Sequence, residues 1–455
     1  MRVWISFFRL SIMSNQQHPR PRRYLSADAL ISLLRKRFEA VPDGRREGST
    51  TYSMADALAG AFAMFSLKEP SLLMFQNRKD QPAIKKLYQL DKVPSDSTMR
   101  EILDGIEIEQ LNEAFADVFY ELQRGGILKQ FVVDDGHYAI AIDGTEYFCS
   151  DTIHCPQCMQ RKVGKDKTQY YHQAVVATLV HPDLKTVITL AVEPIVKQDG
   201  ETKNDCERNA TRRLLERFRR MHPQLKAIVI EDGLSSNAPH IADLKRLNLR
   251  FLLMAKPSDH QYLFGEVIKA SDERRDEIVS VFDVTDPQLL LSQTQYVPNI
   301  SLNASNKDVC VNFLQHFEFD RQTGETSKRF SWVTDIDLER GQFIDYTRVG
   351  RSRWRIENET FNTLKNQGYH FEHNYGHGDK NLTTVMMLVM FLAFLVDQVQ
   401  QTCCPLFTAA LEMLKSRRQL WDDLRRCVRT FVFESFAQLW SAILSGTTLD
   451  LPPPR

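Results

Sequence analysis

Two short apolar runs in the sequence each lead into an aspartate. Residues 139–142 precede Asp143, and residues 227–230 precede Glu231 and Asp232. Such runs predict buried strands, and side chains at strand ends are held rigidly. Carboxylate oxygens are the ligands that Mg²⁺ and Mn²⁺ prefer. Two such ions about 4 Å apart can activate an attacking oxygen and stabilise a leaving one in phosphoryl transfer. Asp143 and Asp232 are therefore candidate metal ligands and catalytic residues.

A third carboxylate for such a site would come from a helix packed on the sheet, and Glu357 and Glu359 are the candidates. At about 100° per residue, Phe361 and Leu364 lie within roughly 40° of Glu357. Glu357 is therefore predicted to face the sheet, and Glu359 to face solvent or DNA. A carboxylate on an apolar face is costly unless something ligates it. Glu357 is the predicted third ligand.

An Asp-Gly pair after a strand is also common turn chemistry, so either aspartate alone favours a structural turn. The order of the surrounding elements changes that balance. Strands are predicted at residues 138–142, 174–180 and 185–192, then a helix at 204–221, a strand at 227–230, a helix at 238–247 and a strand at 250–254. This is the order of an RNase H-like sheet. Both aspartates then lie in the sheet, and the Glu357 helix follows them.

The predicted fold class is α/β, with an RNase H-like mixed sheet, flanking helices, a β-rich insertion, and helical N- and C-terminal regions. In the N-terminal region, Thr98 and Glu101 match a capping box opening a helix. That region could hold a helix-turn-helix or a helical packing domain. The predicted regions are residues 1–46 (basic arm), 47–130 (helical DNA-binding domain), 131–275 (catalytic core, first part), 276–345 (β-rich insertion), 346–382 (Glu helix of the core) and 383–455 (C-terminal helices).

The charge of the chain is balanced overall but clustered locally. Net charge is zero, whereas residues 1–46 hold ten Lys or Arg against three Asp or Glu. Clustered positive charge suits a protein that follows a phosphate backbone, and such binding should fall steeply with salt. The candidate DNA-binding arginines of the arm and of the Glu357 helix are Arg20, Arg22, Arg23, Arg45, Arg46, Arg348, Arg351, Arg353 and Arg355.

A second metal is suggested by Cys155 and Cys158, a CxxC pair whose spacing suits half of a structural zinc site. His373 and His377 have the spacing of a histidine pair and could complete it. The alternatives are His154 with His172, or no metal. Eight cysteines in 455 residues do not make a disulfide scaffold.

The most apolar stretch, residues 385–396, is shorter than the roughly 20 residues of a membrane span. No signal-peptide cleavage site follows the N-terminal apolar residues. The expected location is a reducing cytoplasm, with no membrane partner. Met13 is a plausible alternative start.

The chain resembles the DDE transposases of bacterial insertion sequences, in the branch with a β-rich insertion before the catalytic glutamate. The resemblance spans residues 138–375 and is sharpest in the stretch from Arg353 through Glu357 to Leu364-Lys365. It implies cleavage of double-stranded DNA at transposon ends and joining to a target. It also implies a homodimer, because two ends must be joined together. Asp143, Asp232 and Glu357 would hold the Mg²⁺ or Mn²⁺ ions, and Arg353 and Lys365 would contact phosphates.

The sequence departs from that family pattern at two points. Gly350 stands where the signature usually has a tyrosine, which counts against the hairpin-forming variant of the chemistry. Lys365 lies eight residues after Glu357 rather than seven. The other functions considered are an RNase H-like nuclease without strand transfer, a catalytically inactive DNA-binding derivative, and a zinc-dependent structural module.

Overall fold

A single mixed sheet forms the centre of the protein. The computed structural model describes residues 23–46, 50–165, 167–197, 206–273, 279–283, 292–320 and 323–446. Within these residues the sheet has eleven strands. They are β1 (Val132–Asp134), β2 (His137–Ser150), β3 (Met159–Val163), β4 (Lys167–His181), β5 (Leu184–Ile195), β6 (Ala227–Glu231), β7 (Arg250–Met254), β8 (Val279–Asp283), β9 (Ser292–Asn303), β10 (Asn306–Phe319) and β11 (Thr326–Thr334).

The strand order is β3-β4-β2-β6-β7-β11-β10-β9-β8, with β1 paired to β2 and β5 paired to β4. Strands β2, β4 and β5 are antiparallel, whereas β6 runs parallel to both β2 and β7. Every residue of β6 is buried, as expected for a parallel strand covered on both faces. The predicted α/β fold with an RNase H-like mixed sheet is confirmed.

Strand β2 is longer than predicted, and this moves Asp143. The sequence predicts that the strand ends before Asp143, but β2 continues to Ser150. Its antiparallel pairing with β4 runs through Asp143 opposite Val176 and Gly144 opposite Val175. Because β4 supplies hydrogen bonds beyond Asp143, the Asp-Gly pair is extended backbone rather than a turn. The prediction that Asp143 terminates its strand is wrong.

The β-rich insertion extends the core sheet. Strand β11 pairs antiparallel with β7, with Trp332 opposite Met254 and Thr334 opposite Leu252. Strands β10, β9 and β8 follow in turn. The unpaired edge that β7 would otherwise present is therefore covered. Core and insertion share one continuous sheet.

The region before the sheet is helical, with α1 (Ala27–Glu39), α2 (Met54–Ser66), α3 (Leu72–Gln76), α4 (Pro82–Leu87), α5 (Asp96–Asp104) and α6 (Ile108–Arg124). Helix α2 is buried along its whole length. Helix α5 begins two residues before Thr98, and its N-cap is Ser95, whose hydroxyl accepts from the backbone of Thr98. The predicted capping box at Thr98 is therefore wrong. Ser95 has the extended backbone that an N-cap needs.

The later helices are α7 (Glu207–Met221), α8 (Ala238–Arg246), α9 (Gln261–Glu273), α10 (Phe343–Arg351), α11 (Asn362–Asn366), α12 (Leu382–Cys403), α13 (Pro405–Leu414), α14 (Arg417–Thr430) and α15 (Phe436–Ser445). A π-helical turn, Ile356–Phe361, lies between α10 and α11. Among the described residues, α12 alone is long and apolar enough to cross a membrane. It has 22 residues, well beyond the twelve-residue stretch noted in the sequence. Its most apolar window is 94% buried inside the protein, as in the core helix of a globular domain.

Candidate active site

The parallel pair β2–β6 brings the two aspartates side by side. Ala141 of β2 is in register with Ile230 of β6, and Asp143 and Asp232 each lie two residues further on. Side chains alternate along a strand, so each aspartate shares the face of its register residue. Neighbouring strands are about 4.8 Å apart. Asp143 therefore lies on β2 beside the end of β6, Asp232 is the first residue after β6, and Glu207 interacts electrostatically with both acids.

Arg353 joins Asp143 to Glu357. One terminal guanidinium nitrogen of Arg353 lies 2.8 Å from Asp143 Oδ2, and the other lies 2.7 Å from Glu357 Oε1. The Arg353 residue is only 8% exposed. Charge-assisted contacts of this kind fix geometry as well as contributing energy. Two of the three predicted acids, which are distant in sequence, thus contact one buried cation.

Glu357 lies in the π-helical turn, and this changes the argument that selected it. The side chain of Glu357 is 49% exposed, whereas that of Glu359 is 26% exposed and pairs with Arg355 at 3.3 Å. The prediction that Glu357 faces the apolar side of a regular helix is wrong. A π-helical turn has i→i+5 hydrogen bonds, so its side chains do not follow the 100° spacing of an α-helix. Glu357 nevertheless reaches Asp143 through Arg353.

A fourth carboxylate, Glu207, lies beside these acids and was missed in the sequence. It occupies the first turn of α7. Its carboxylate atoms lie 3.0–3.1 Å from where a Cβ on Gly144 would be. The absence of a side chain at Gly144 therefore leaves room for Glu207. The sequence signal that could have found it is an acid at the start of the predicted helix between β5 and β6.

The crowding of carboxylates shifts their proton affinity. Burial raises the pKa of Asp143 to about 7; Arg353 opposes this, while Glu357 and Glu207 add to it. Burial, together with the negative charges of Asp232 and Glu231, also raises the pKa of Glu207. The cluster of Asp143, Asp232, Glu357 and Glu207, called the carboxylate cluster below, holds more negative charge than Arg353 alone can balance.

Glu231, next to Asp232 in sequence, has a separate role. It is buried at the end of β6 and contacts the His240 ring on α8. Burial lowers the pKa of His240, but the charge and hydrogen bond of Glu231 and the charge of Asp243 together outweigh it, so the net pKa is raised. This pair joins the strand to α8.

The arginines predicted to bind DNA make ion pairs within the protein. Arg351 lies 2.7 Å from Glu318 of β10, Arg355 donates to the carbonyl of Pro182 at 2.9 Å, and Arg348 pairs with Asp183. Lys365 lies 2.9 Å from Glu372. Arg20 and Arg22 lie among residues 1–22, which are outside the described part of the chain, and so does the side chain of Arg23.

Arg348, Arg351 and Arg355 nevertheless line one groove, together with the half-exposed ring of Trp354 and the side chain of Asn358. This set is called the arginine groove below. It lies next to Glu357 along the chain.

A model of the transposase DDE domain family matches residues 134–395, more than half of the chain. The protein belongs to this transposase family. The match extends from β1 to α12 and includes the whole carboxylate cluster. No curated protein matches the sequence. The resemblance noted in the sequence is confirmed, and with it a transposase function acting on DNA.

Gly350 now has a structural explanation. A Cβ at this position would lie 2.5–2.9 Å from atoms of the Trp332 ring. Trp332 is buried in β11, where it stacks near Phe330. The tyrosine that the transposase signature usually has here cannot fit without displacing Trp332.

A second polar cluster lies beyond the far end of β2. Cys155, Cys158, His172 and His377 have candidate ligand atoms that all lie within 4.8 Å of one another. His172 replaces His373, so the predicted pairing of the CxxC motif with both His373 and His377 is wrong. His172 lies on β4 opposite Phe148 of β2, which brings it under the CxxC loop. His373 packs against the ring of Tyr375 instead.

Proposed function

We propose that this transposase cuts DNA at transposon ends and joins the freed 3′-hydroxyls to target DNA by means of Asp143, Asp232 and Glu357. The observation that carries the proposal is the contact of Arg353 with both Asp143 and Glu357, beside the adjacent Asp232. Asp143 on β2, Asp232 after β6 and Glu357 in the π-helical turn come from distant parts of the chain. Nearby carboxylates repel one another when ionised, so such a group favours the binding of a cation.

The residues of the carboxylate cluster fit a divalent cation. They offer only oxygen donors, and Mg²⁺ or Mn²⁺ needs few of them because it keeps several waters. Burial is the main cause of the raised pKa of Asp143, and the nearby charges of Glu357 and Glu207 raise it further; a divalent ion would favour the ionised carboxylate. When bound, such ions would activate the attacking oxygen and stabilise the leaving one.

The protein's own groups position the acids and the DNA. Arg353 holds Asp143 and Glu357 in place and offers a buried positive charge near the scissile phosphate. The half-exposed Glu357, which pairs with Arg353, would exchange part of that contact for a cation. Glu207 supplies one more carboxylate beside Gly144. We propose that it assists cation binding and is less essential than the three predicted acids.

The arginine groove is the proposed path of the DNA backbone beside the site. Exposed ion pairs contribute little to stability, so the pairs of Arg348 and Arg355 can be exchanged for phosphate contacts at small cost. Phosphate contacts position a protein on DNA without reading sequence. Lys365 and the basic residues Arg22 and Arg23 would add to the same backbone contacts.

Two further features are part of this proposal. The active assembly is a homodimer, since two transposon ends must be joined in one complex. We also propose that the protein acts in the cytoplasm without a membrane partner, in keeping with the burial of α12 inside the protein.

The test is a cleavage and strand-transfer assay with Mg²⁺ or Mn²⁺ on the DNA that flanks this reading frame. Wild type is compared with Glu357→Gln and with the matched control Glu359→Gln. We expect end-specific nicking and joining by the wild type and by Glu359→Gln, and loss of both with Glu357→Gln. If the wild type and both variants bind DNA equally, the loss of activity in Glu357→Gln is a loss of chemistry.

Three outcomes would count against the proposal. Nicking without joining would favour a plain nuclease. Binding without any chemistry in the wild type would favour an inactive derivative. Loss of activity in Glu359→Gln alone would assign the third carboxylate to Glu359.

A further inference from the structure

We propose that Cys155, Cys158, His172 and His377 bind one structural zinc ion, which fastens the segment after the Glu357 helix to the sheet. The inference rests on a different part of the molecule from the carboxylate cluster. It also does not depend on DNA chemistry. Two thiols and two imidazoles are a common ligand set of structural zinc.

The spacing of the donor atoms fits one tetrahedral ion. Zinc lies about 2.3 Å from sulfur and about 2.0–2.1 Å from nitrogen, so donor atoms around it are separated by about 3.4–3.8 Å. The two sulfurs are 3.6 Å apart, and His172 Nε2 lies 3.3 Å from Cys155 Sγ and 3.2 Å from Cys158 Sγ. His377 Nδ1 lies 4.0 Å from Cys158 Sγ. Small adjustments would equalise these distances.

Three of the four ligand residues are buried and His377 is partly exposed, as suits a structural rather than a catalytic metal. Cys158 and His172 are 0% and 1% exposed, and Cys155 is 8% exposed. Four protein donors leave no position open for a substrate. The backbone N–H of Cys155 donates to Cys158 Sγ at 3.3 Å, which holds the CxxC turn in place.

Aromatic rings fix the two imidazoles. The ring of Tyr147 stacks against His172, and Phe148 packs edge-on against His377 with ring centroids 4.2 Å apart. These two β2 residues therefore hold a histidine of β4 and a histidine of a distant loop in facing positions. These ring contacts orient both imidazoles toward the cysteines.

The ion would connect three parts of the chain. Cys155 and Cys158 lie between β2 and β3, His172 lies on β4, and His377 lies between α11 and α12. The His377 segment also contacts the N-terminal helices, because Arg100 of α5 donates to the carbonyl of Tyr375 at 3.0 Å. Zinc therefore ties the sheet to the His377 segment, which connects α11 to α12 in the chain and contacts α5.

Asp104 at the end of α5 strengthens this connection. Its carboxylate accepts hydrogen bonds from the backbone N–H groups of Asp379, Lys380 and Leu382. A Cβ on Gly378 would lie 2.0 Å from an Asp104 oxygen, so glycine is needed there. Removing the ion should loosen the His377 segment.

The experiment measures metal in the full-length protein, purified under reducing conditions without chelator. Elemental analysis should find about one zinc per chain in the wild type. Cys158→Ser and His172→Asn should lose it. The matched controls are Cys149→Ser, an exposed cysteine of the same strand region, and His373→Asn, a histidine four residues from His377; both should retain zinc.

Cobalt substitution keeps the test decisive if the ligand variants fail to fold. Wild type stripped by a chelator and reloaded with Co²⁺ should show the absorption of tetrahedral cobalt–thiolate coordination. Absence of zinc and of that absorption, or a Cys155–Cys158 disulfide in the reduced preparation, would overturn the proposal. If His373→Asn lost zinc while His172→Asn kept it, the ligand would be His373, and the assignment of His172 would be wrong.

Discussion

The carboxylate cluster lies around Asp143 in the middle of β2, and the Cys/His cluster (Cys155, Cys158, His172 and His377) lies beyond the end of the same strand, yet their environments differ. The acids gather where the parallel strand β6 ends, and Glu357 is half-exposed. The cysteines and His172 lie beyond, under the CxxC loop, and are at most 8% exposed. The first cluster has oxygen donors and a half-exposed carboxylate, whereas the second has sulfur and nitrogen donors, three of them buried.

In the proposed arrangement, one sheet carries sites for two kinds of cation. A catalytic ion must exchange and must meet a phosphate, so its ligands are few and reachable. A structural ion must stay, so its ligands are complete and buried. The ligand atoms of the two clusters also differ in softness. Soft thiolates select zinc, whereas hard carboxylates suit magnesium or manganese.

The largest expected effect comes from breaking each cluster separately. Asp232→Asn should lower cleavage by about 10³-fold or more, because a ligand at the reacting centre is lost. It should leave the zinc content and the melting temperature almost unchanged.

Cys158→Ser should instead lose zinc and lower the melting temperature by roughly 5 °C or more, since several kcal/mol of metal-linked stability disappear. Cleavage assays, elemental analysis and thermal melts on both variants check this, and zinc loss in Asp232→Asn would show that the clusters are coupled.

A moderate effect is expected from Glu207. Glu207→Gln should lower cleavage about 10-fold at limiting Mg²⁺, with recovery at high Mg²⁺, because one supporting carboxylate is removed. The matched control is Glu216→Gln on the same helix, whose carboxylate pairs with Arg246 away from the cluster. A magnesium titration of the cleavage rate measures the difference. Equal curves for both variants would remove Glu207 from the site.

The smallest effect is a pH dependence confined to the carboxylate cluster. The pKa of Asp143 is raised from 3.8 to about 7 in the metal-free protein. Its protonation therefore stabilises the metal-free fold fully below about pH 4, and this contribution is lost as pH rises to about 7. Mg²⁺ binds the ionised carboxylate, so its stabilising effect should grow over the same range. The increase in melting temperature on adding Mg²⁺ should be about 2–4 °C larger at pH 8 than at pH 5.5.

Asp143→Asn is the control for that pH dependence, since it removes the titrating group and should flatten the difference. Zinc content should stay constant in the same samples. A magnesium effect that is independent of pH in the wild type would contradict the raised pKa of Asp143.

Much of the core could be predicted because its signals are local. The apolar run at residues 250–254 predicts a strand with the bounds that the structure has, and the prediction for β6 differs by one residue. Short apolar runs between turn signals favour buried strands, and β6 is also rich in β-branched residues. Strand β2 was predicted too short, because the pairing that carries it past Asp143 comes from β4. Ser95 was missed as a cap because Thr98 and Glu101 match the same local pattern.

The sequence by itself determined the residue types and their order: the aspartates after apolar runs, the Arg353–Glu357 stretch, the CxxC motif and the family. The tertiary structure alone decided which distant groups meet. It put Glu207 against Gly144, Arg353 between Asp143 and Glu357, and His172 rather than His373 beside the cysteines. It also joined β11 to β7 in one sheet. The physical reason is that helix and strand formation depend on neighbours in the chain, whereas contacts between distant residues depend on strand register and helix phase, which only the packed fold sets.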